Sequence, residues 1–377
     1  MRSNLLIIIY AIIIVLSVMY ATQPLQPLLA EKFNISVVQA SQFTAVIMLF
    51  MAISPIIYGY ILEKMCAKKM LVNALMVLLV TNIFLGLSTS YEYFLFFRVC
   101  EALVIPAILT SLMSILANID KENIKFNMSI YVASTVFGGL VGRIFSGFIA
   151  TTFTYEYVFY SLSCAIFVAI FFVKRLNYNG ETAMIKPKIV DILTILKDKR
   201  FGLVYFLMFC MFFVFGGVLN VLPFRVKDIS QSFSEFQISL LYLGYGMGIV
   251  VSLASKKIVG FFKNEINTIL VSILFFLFVT FFLVNEDIVY LFILLFLFCV
   301  GMFSVHTVST QLANSMKSSQ KSLTSGMYLT FYYLGGAMGS FFPTILYKNF
   351  GWDIMIYVFV GILLFVLTTI FVNRKIF

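Results

Sequence analysis

Read for polarity alone, the chain is a series of apolar runs of about twenty residues, cut by short polar breaks. The runs lie at 5–24, 38–60, 70–89, 93–117, 126–152, 157–173, 201–223, 237–255, 266–284, 288–312, 323–347 and 354–372. A membrane-crossing helix needs roughly 20 predominantly apolar residues, and each run approaches or exceeds that length. Transmembrane strands would instead alternate over segments of about ten residues. Stretches such as 5–20 and 274–283 are nearly continuous. The pattern predicts an all-α integral membrane protein with twelve transmembrane helices. The first apolar run is longer than a leader's usual 7–15 residues, and the rest of the chain is equally hydrophobic, so it reads as the first span.

The longest polar break, 174–200, carries seven Lys and Arg and separates two six-span halves. The expected division is an N-terminal six-helix bundle at 1–175, a cytoplasmic linker at 176–199 and a C-terminal six-helix bundle at 200–377. The halves repeat. Gly138-Gly139-Leu-Val-Gly142 recurs 197 residues later as Gly335-Gly336-Ala-Met-Gly339. At the same offset Gln23 meets Asn220, Tyr155-Glu156 meets Trp352-Asp353, and Tyr160 meets Tyr357. A duplicated six-helix unit is an architecture of secondary transporters.

Composition narrows the function. Of 377 residues, 62% are hydrophobic and 11% charged, where a soluble chain has about 45–50% and about 25%. Water-soluble enzymes, nucleic-acid binders and disordered proteins are excluded. The net charge of +10 is a topology signal. Taking both termini and the even-numbered breaks as one side, 20 Lys and Arg fall there, and four (Lys32, Arg225, Lys227, Lys348) on the other. That bias predicts cytoplasmic termini and contact with anionic membrane lipid rather than nucleic acid. The five Cys are irregularly spaced, and there is a single His. Neither a disulfide framework nor a multi-His metal site is expected. No Walker-type phosphate loop, His-Glu-x-x-His or Gly-x-Ser-x-Gly occurs, so no enzyme and no cofactor is expected.

Charged side chains inside spans are costly, roughly +2.5 to +3.5 kcal/mol at a helix centre, and mark pathways for ions or substrate. Arg98, Glu101 and Arg143 are the three that lie clearly inside. Glu101 and Arg143 sit at matching depths on consecutive spans, so a pair between them is geometrically reasonable. Arg98 lies one turn from Glu101 on the same face. Two cations against one carboxylate suit an anionic substrate, Glu101 can alternatively carry a proton, and a permanent pair stapling the spans is the structural reading. His306, with Met302 and Thr310 on its stripe, is a second titratable candidate. Ser17, Tyr20, Gln23 and Asn220 are polar positions on the first and seventh spans. Gly138-xxx-Gly142, Gly244-xxx-Gly248 and Gly335-xxx-Gly339 have the spacing for close helix approach.

Several of these segments carry a family resemblance. Tyr20-Ala-Thr-Gln-Pro-Leu-Gln-Pro-Leu-Leu29, Arg98-Val-Cys-Glu101-Ala-Leu-Val-Ile-Pro106-Ala107, Gly138-Gly-Leu-Val-Gly142-Arg143 and Tyr332-Tyr-Leu-Gly335 resemble motifs of the major facilitator superfamily, and within it the YnfM-like inner-membrane transport proteins. The likeness covers nearly the whole chain. It implies the major facilitator fold and alternating access in a bacterial inner membrane. It also implies a small-molecule substrate, the first and seventh spans lining the cavity, and the glycine pairs of spans five, eight and eleven lying where the halves meet. The loop after the second span, Gly59-Tyr-Ile-Leu-Glu63-Lys64-Met-Cys66-Ala67-Lys68-Lys69, resembles the family's cytoplasmic latch. Glu63 stands for Asp and Lys64 for Arg, while Cys66 and Ala67 replace the usual Gly and Arg. Where Glu101 and Ala102 stand the family usually has Gln and Gly, so a proton role for Glu101 is not implied by the resemblance. The function expected is a proton-coupled secondary transporter, acting as a monomer and exporting a small amphipathic or anionic compound. Uptake or facilitated diffusion is the alternative within transport, and a membrane-embedded enzyme the alternative outside it.

Overall fold

The computed structural model describes residues 2–62, 66–119, 124–176, 189–316 and 321–377. Among the described residues all regular structure is helical. Lipid offers no partner for a free backbone N–H or C=O, and a helix satisfies these groups within one segment. Among the described residues ten helical segments are long and apolar enough to cross a membrane. One of them, α14 (Lys321–Val372), is two spans run together and broken at Gly351, where φ is +82. The shorter α1 (Arg2–Tyr20) supplies the remaining span, which completes the twelve-helix fold.

In the first half α1 is followed by the short α2 (Gln26–Phe33), then α3 (Val37–Leu62), α4 (Ala67–Leu87), α5 (Tyr91–Ile119), α6 (Ile124–Thr152) and α7 (Tyr155–Lys174). The second half runs α8 (Ile189–Lys197), α9 (Lys199–Ile229), α10 (Glu235–Leu240), a 3₁₀ turn at Leu241–Gly246, α11 (Met247–Phe261), α12 (Glu265–Phe282), α13 (Ile288–Ser315) and α14. Helices of this half begin at side-chain caps. Asp198 accepts from Arg200 N, Ser234 from Gln237 N, Asn264 from Asn267 N, and Asp287 from Val289 N and Tyr290 N. Each such cap contributes about 1 kcal/mol.

Three boundaries differ from the hydropathy reading. The first span ends at Tyr20 rather than 24, because the chain turns through Ala21–Leu25 into α2. The eighth span is not one helix; it passes through the 3₁₀ stretch at Leu241–Gly246. The linker is not wholly polar, since it contains α8, whose Ile195 is buried.

The chain forms two compact units. One comprises Met1–Lys186 with Ser232–Leu240, and the other Pro187–Gln231 with Leu241–Phe377. In the first, α1 packs on α6 and α7, α4 on α5 and α7, and α10 on α6. In the second, α9 packs on α14, and α13 on α11 and α12. The sequence repeat is realised as repeated contacts. Gln23 Oε1 accepts from Arg143 Nε at 2.7 Å, and 197 residues on Asn220 Nδ2 donates to Ser340 O at 2.9 Å. Tyr155 OH donates to Ser88 O, and its counterpart Trp352 Nε1 to Leu283 O.

Candidate functional site

The buried charged residues of the first unit, Arg98, Glu101 and Arg143, gather where α1 ends. Leaving helical geometry after Tyr20, α1 exposes the carbonyls of its last turn. Arg98, fully buried on α5, covers them. Its Nη2 donates to Met19 O at 2.6 Å and Thr22 Oγ1 at 3.0 Å, Nη1 to Val18 O at 3.2 Å, and Nε to Phe43 O at 2.9 Å on α3. The fifth donor completes an ion pair, Nη1 to Glu101 Oε2 at 2.6 Å. All five N–H groups of the guanidinium are thus used. A cation at a helix C-terminus also meets the negative end of the helix dipole.

The acid's ion pair is therefore one turn along its own helix, where the depth match had pointed to Arg143. Arg143 on α6 is also buried. Its Nε donates to Gln23, its Nη1 to Gly139 O at 2.9 Å, and its guanidinium lies 3.9 Å from the Tyr20 ring centre. Glu101 is wholly buried, and its second oxygen, Oε1, has no hydrogen-bond partner among the described residues. Thr22 and the carbonyls of Val18, Met19 and Phe43 complete the cluster. Thr22 falls inside the apolar run at 5–24, and polarity along the chain does not mark a backbone carbonyl as a site.

The other polar candidates are placed in helix packing. Ser17 Oγ donates to Ile13 O and Gly138 O, which ties α1 to α6. Tyr20, Gln23 and Asn220 are buried in the contacts already given. In the second unit His306 is half-buried on α13. Its Nδ1 lies 2.9 Å from Tyr328 OH, which is also 3.0 Å from His306 O. The imidazole sits against Tyr332, with ring centres 4.7 Å apart, and Tyr332 stacks on Phe212 at 3.9 Å. Of the latch loop, Gly59 lies on α3, Lys69 is exposed, and Lys68 Nζ donates to Leu176 O at 2.6 Å. Glu63 and Lys64 lie outside the described residues.

The atoms nearest the glycines of the three motifs belong to helices of the same unit. Gly138, Gly139 and Gly142 face Ile13, Leu16, Ser17 and Tyr20 of α1; Gly335, Gly336 and Gly339 face Phe209, Phe212 and Phe213 of α9; Gly244 and Gly248 face Leu295 and Phe303 of α13. A Cβ at Gly142 would stand 2.4 Å from Ser17 Cα, and one at Gly339 would stand 2.2 Å from Phe213 O. Both obstacles are backbone, so the helices must separate. Overpacking of this kind costs typically 1–3 kcal/mol. Gly142→Leu and Gly339→Leu are expected to lose most folded protein, while Gly361→Ala, where nothing lies within 4 Å, stays near wild type. Size-exclusion profiles of the solubilised variants check this. Monodisperse Gly142→Leu at wild-type yield would contradict the packing.

The model of the Major Facilitator Superfamily matches residues 7–340. The chain belongs to that superfamily. Relatives include an uncharacterized transporter of Buchnera aphidicola subsp. Schizaphis graminum, 21% identical over 86% of this chain and 81% of the relative. Another is the inner membrane transport protein YnfM of Escherichia coli, 22% identical over 89% and 82%. Among solved structures, a bacterial homolog of the human lysosomal transporter Spinster, inward-facing and unoccupied, has a TM-score of 0.83 at 13% identity, covering 99% and 97% of the two chains. The nucleoside transporter NupG has a TM-score of 0.77 at 12% identity, covering 100% of both chains. These likenesses show the fold. As a superfamily member the chain is a multi-pass membrane transporter that binds a small molecule.

Proposed function

We propose that this superfamily member is a proton-coupled secondary transporter that exports a small amphipathic or anionic compound by alternating access. The observation that carries the reading is Glu101, a wholly buried acid with one oxygen on Arg98 and the other without a partner. A carboxyl at such depth marks an ion or substrate path. Arg98 holds four further hydrogen bonds, so a proton arriving on Glu101 leaves the arginine bound. The buried charges of the first unit, two Arg against one Glu, support an anionic substrate group. Any of Ser17, Tyr20, Gln23, Asn220 and His306 that meets substrate does so after a side-chain rearrangement or through an exposed edge. The test is transport by purified protein in vesicles, with a panel of anionic and amphipathic compounds and an imposed pH gradient. Movement of a compound against its gradient, abolished by a protonophore, is the expected result. Movement indifferent to pH would make the protein a facilitator.

The protein works in this reading as a monomer in a bacterial inner membrane, with both termini cytoplasmic. The Lys and Arg bias supports the orientation, and the name of the E. coli relative supports the compartment. A Cys introduced at Asn179 is expected to react in intact cells with membrane-permeant thiol reagents only. Labelling there by an impermeant reagent would invert the topology.

A further inference from the structure

Two grooves open on the second unit, and they differ in chemistry. One, of ≈ 490 Å³, lies between α9 and the second arm of α14 (352–372). Phe206, Phe209, Phe213 and Phe365 line it, and no charged residue does. The other, of ≈ 720 Å³, lies between the start of α12 and the end of that same arm. Along its α12 side the lining changes from Lys263 and Asn267 to Leu270 and Leu274, and Leu367 and Thr368 line it from the arm of α14. Asn267 to Leu274 is seven residues of helix, or about 10 Å at 1.5 Å per residue. The groove thus grades from charged to hydrocarbon-like along a span, over the distance that separates a lipid headgroup from its chains.

A second cation stands at the same mouth. Phe371 lines the groove, and the Arg374 guanidinium lies 4.3 Å from the centre of its ring. Lys263, from the connection before α12, lines the groove directly, and Arg374, from the turn after α14, reaches it through Phe371. Basic pockets between transmembrane helices at the membrane surface recognise anionic headgroups.

We infer that this groove binds an anionic glycerophospholipid of the surrounding leaflet, with its phosphate at Lys263 and Arg374 and an acyl chain along Leu270 and Leu274. Asn267, which gives one proton to Phe262 O, is neutral, and Glu265 of the same helical turn is exposed and does not line the groove. Its residues belong to the second unit and Glu101 to the first, and the inference does not depend on proton coupling.

The test is native mass spectrometry of the full chain in uncharged detergent, with dioleoyl phosphatidylglycerol and dioleoyl phosphatidylcholine offered in equal amounts. Wild-type protein is expected to retain phosphatidylglycerol in preference. Each cation near an anionic membrane surface contributes a factor of about five, so Lys263→Gln with Arg374→Gln should bring the ratio close to one. Lys256→Gln with Lys257→Gln, which removes two cations elsewhere, should leave it unchanged. Equal retention of the two lipids by wild type would overturn the inference. So would an equal loss in the Lys256/Lys257 control, or displacement by glycerol phosphate at equal concentration, which would make the ligand a soluble anion. Should the double variant fail to fold, photoreactive phosphatidylglycerol must label wild-type residues 261–274, and labelling confined to other segments would refute the site.

Discussion

Arg98→Gln is expected to lower the melting temperature of the purified transporter by on the order of 10 °C and to cut its yield sharply. The residue makes five hydrogen bonds from a fully buried position. Its removal leaves the carbonyls of Val18, Met19 and Phe43 without that donor and Glu101 as a buried charge without its pair. Breaking a buried ion pair from one side costs about 3–5 kcal/mol in soluble proteins. For a unit of this size each kcal/mol shifts melting by about 2–4 °C. Arg98→Lys should rescue little, because an ammonium has three donors and no planar fork. Arg98→Gln combined with Glu101→Gln should recover part of the loss, since no charge is then left buried. Thermal melting followed by size exclusion measures all three. A melting temperature within about 2–3 °C of wild type for Arg98→Gln, less than one broken pair should cost, would mean that α1 does not need its cap.

That cap also shows how far the sequence could be read. The spans were legible because hydrocarbon thickness fixes the length of an apolar run, and the duplication because Gln23 with Asn220, and Tyr155 with Trp352, kept one offset. The structure turns those same pairs into matching contacts. Glu101 was legible as a buried acid, but its partner was not. Arg98 at i−3 satisfies the rule of a shared helix face, and Arg143 on the next span the rule of depth. What separates them is the end of α1 at Tyr20, which puts the Val18 and Met19 carbonyls beside Arg98, and apolar content does not encode that end. The glycine motifs announce close approach without saying to what; in three dimensions the partners are α1, α9 and α13. The 3₁₀ turn inside the eighth span and the helix inside the linker escaped for a similar reason. Hydropathy reports the solvent a segment prefers and is silent on its backbone geometry.

The second large effect is expected at the carboxyl itself. Glu101→Gln should abolish the dependence of transport on a pH gradient and leave substrate exchange at equal pH in place. Glutamine has the size of the acid. Its carbonyl oxygen can accept from Arg98 Nη1 as Oε2 does, and its amide group takes the place of Oε1, the oxygen that a proton would occupy. The variant therefore imitates the protonated state permanently, and Arg98 retains its four other bonds, so the protein should fold. If Glu101 only stapled the cluster, the loss would appear in folding or expression before it appeared in coupling. The measurement is gradient-driven transport by monodisperse Glu101→Gln protein in vesicles beside wild type, with exchange at equal pH as the control. Exchange without gradient-driven accumulation is the predicted result. Accumulation at the wild-type level would contradict it, and would move the search for the proton site to His306.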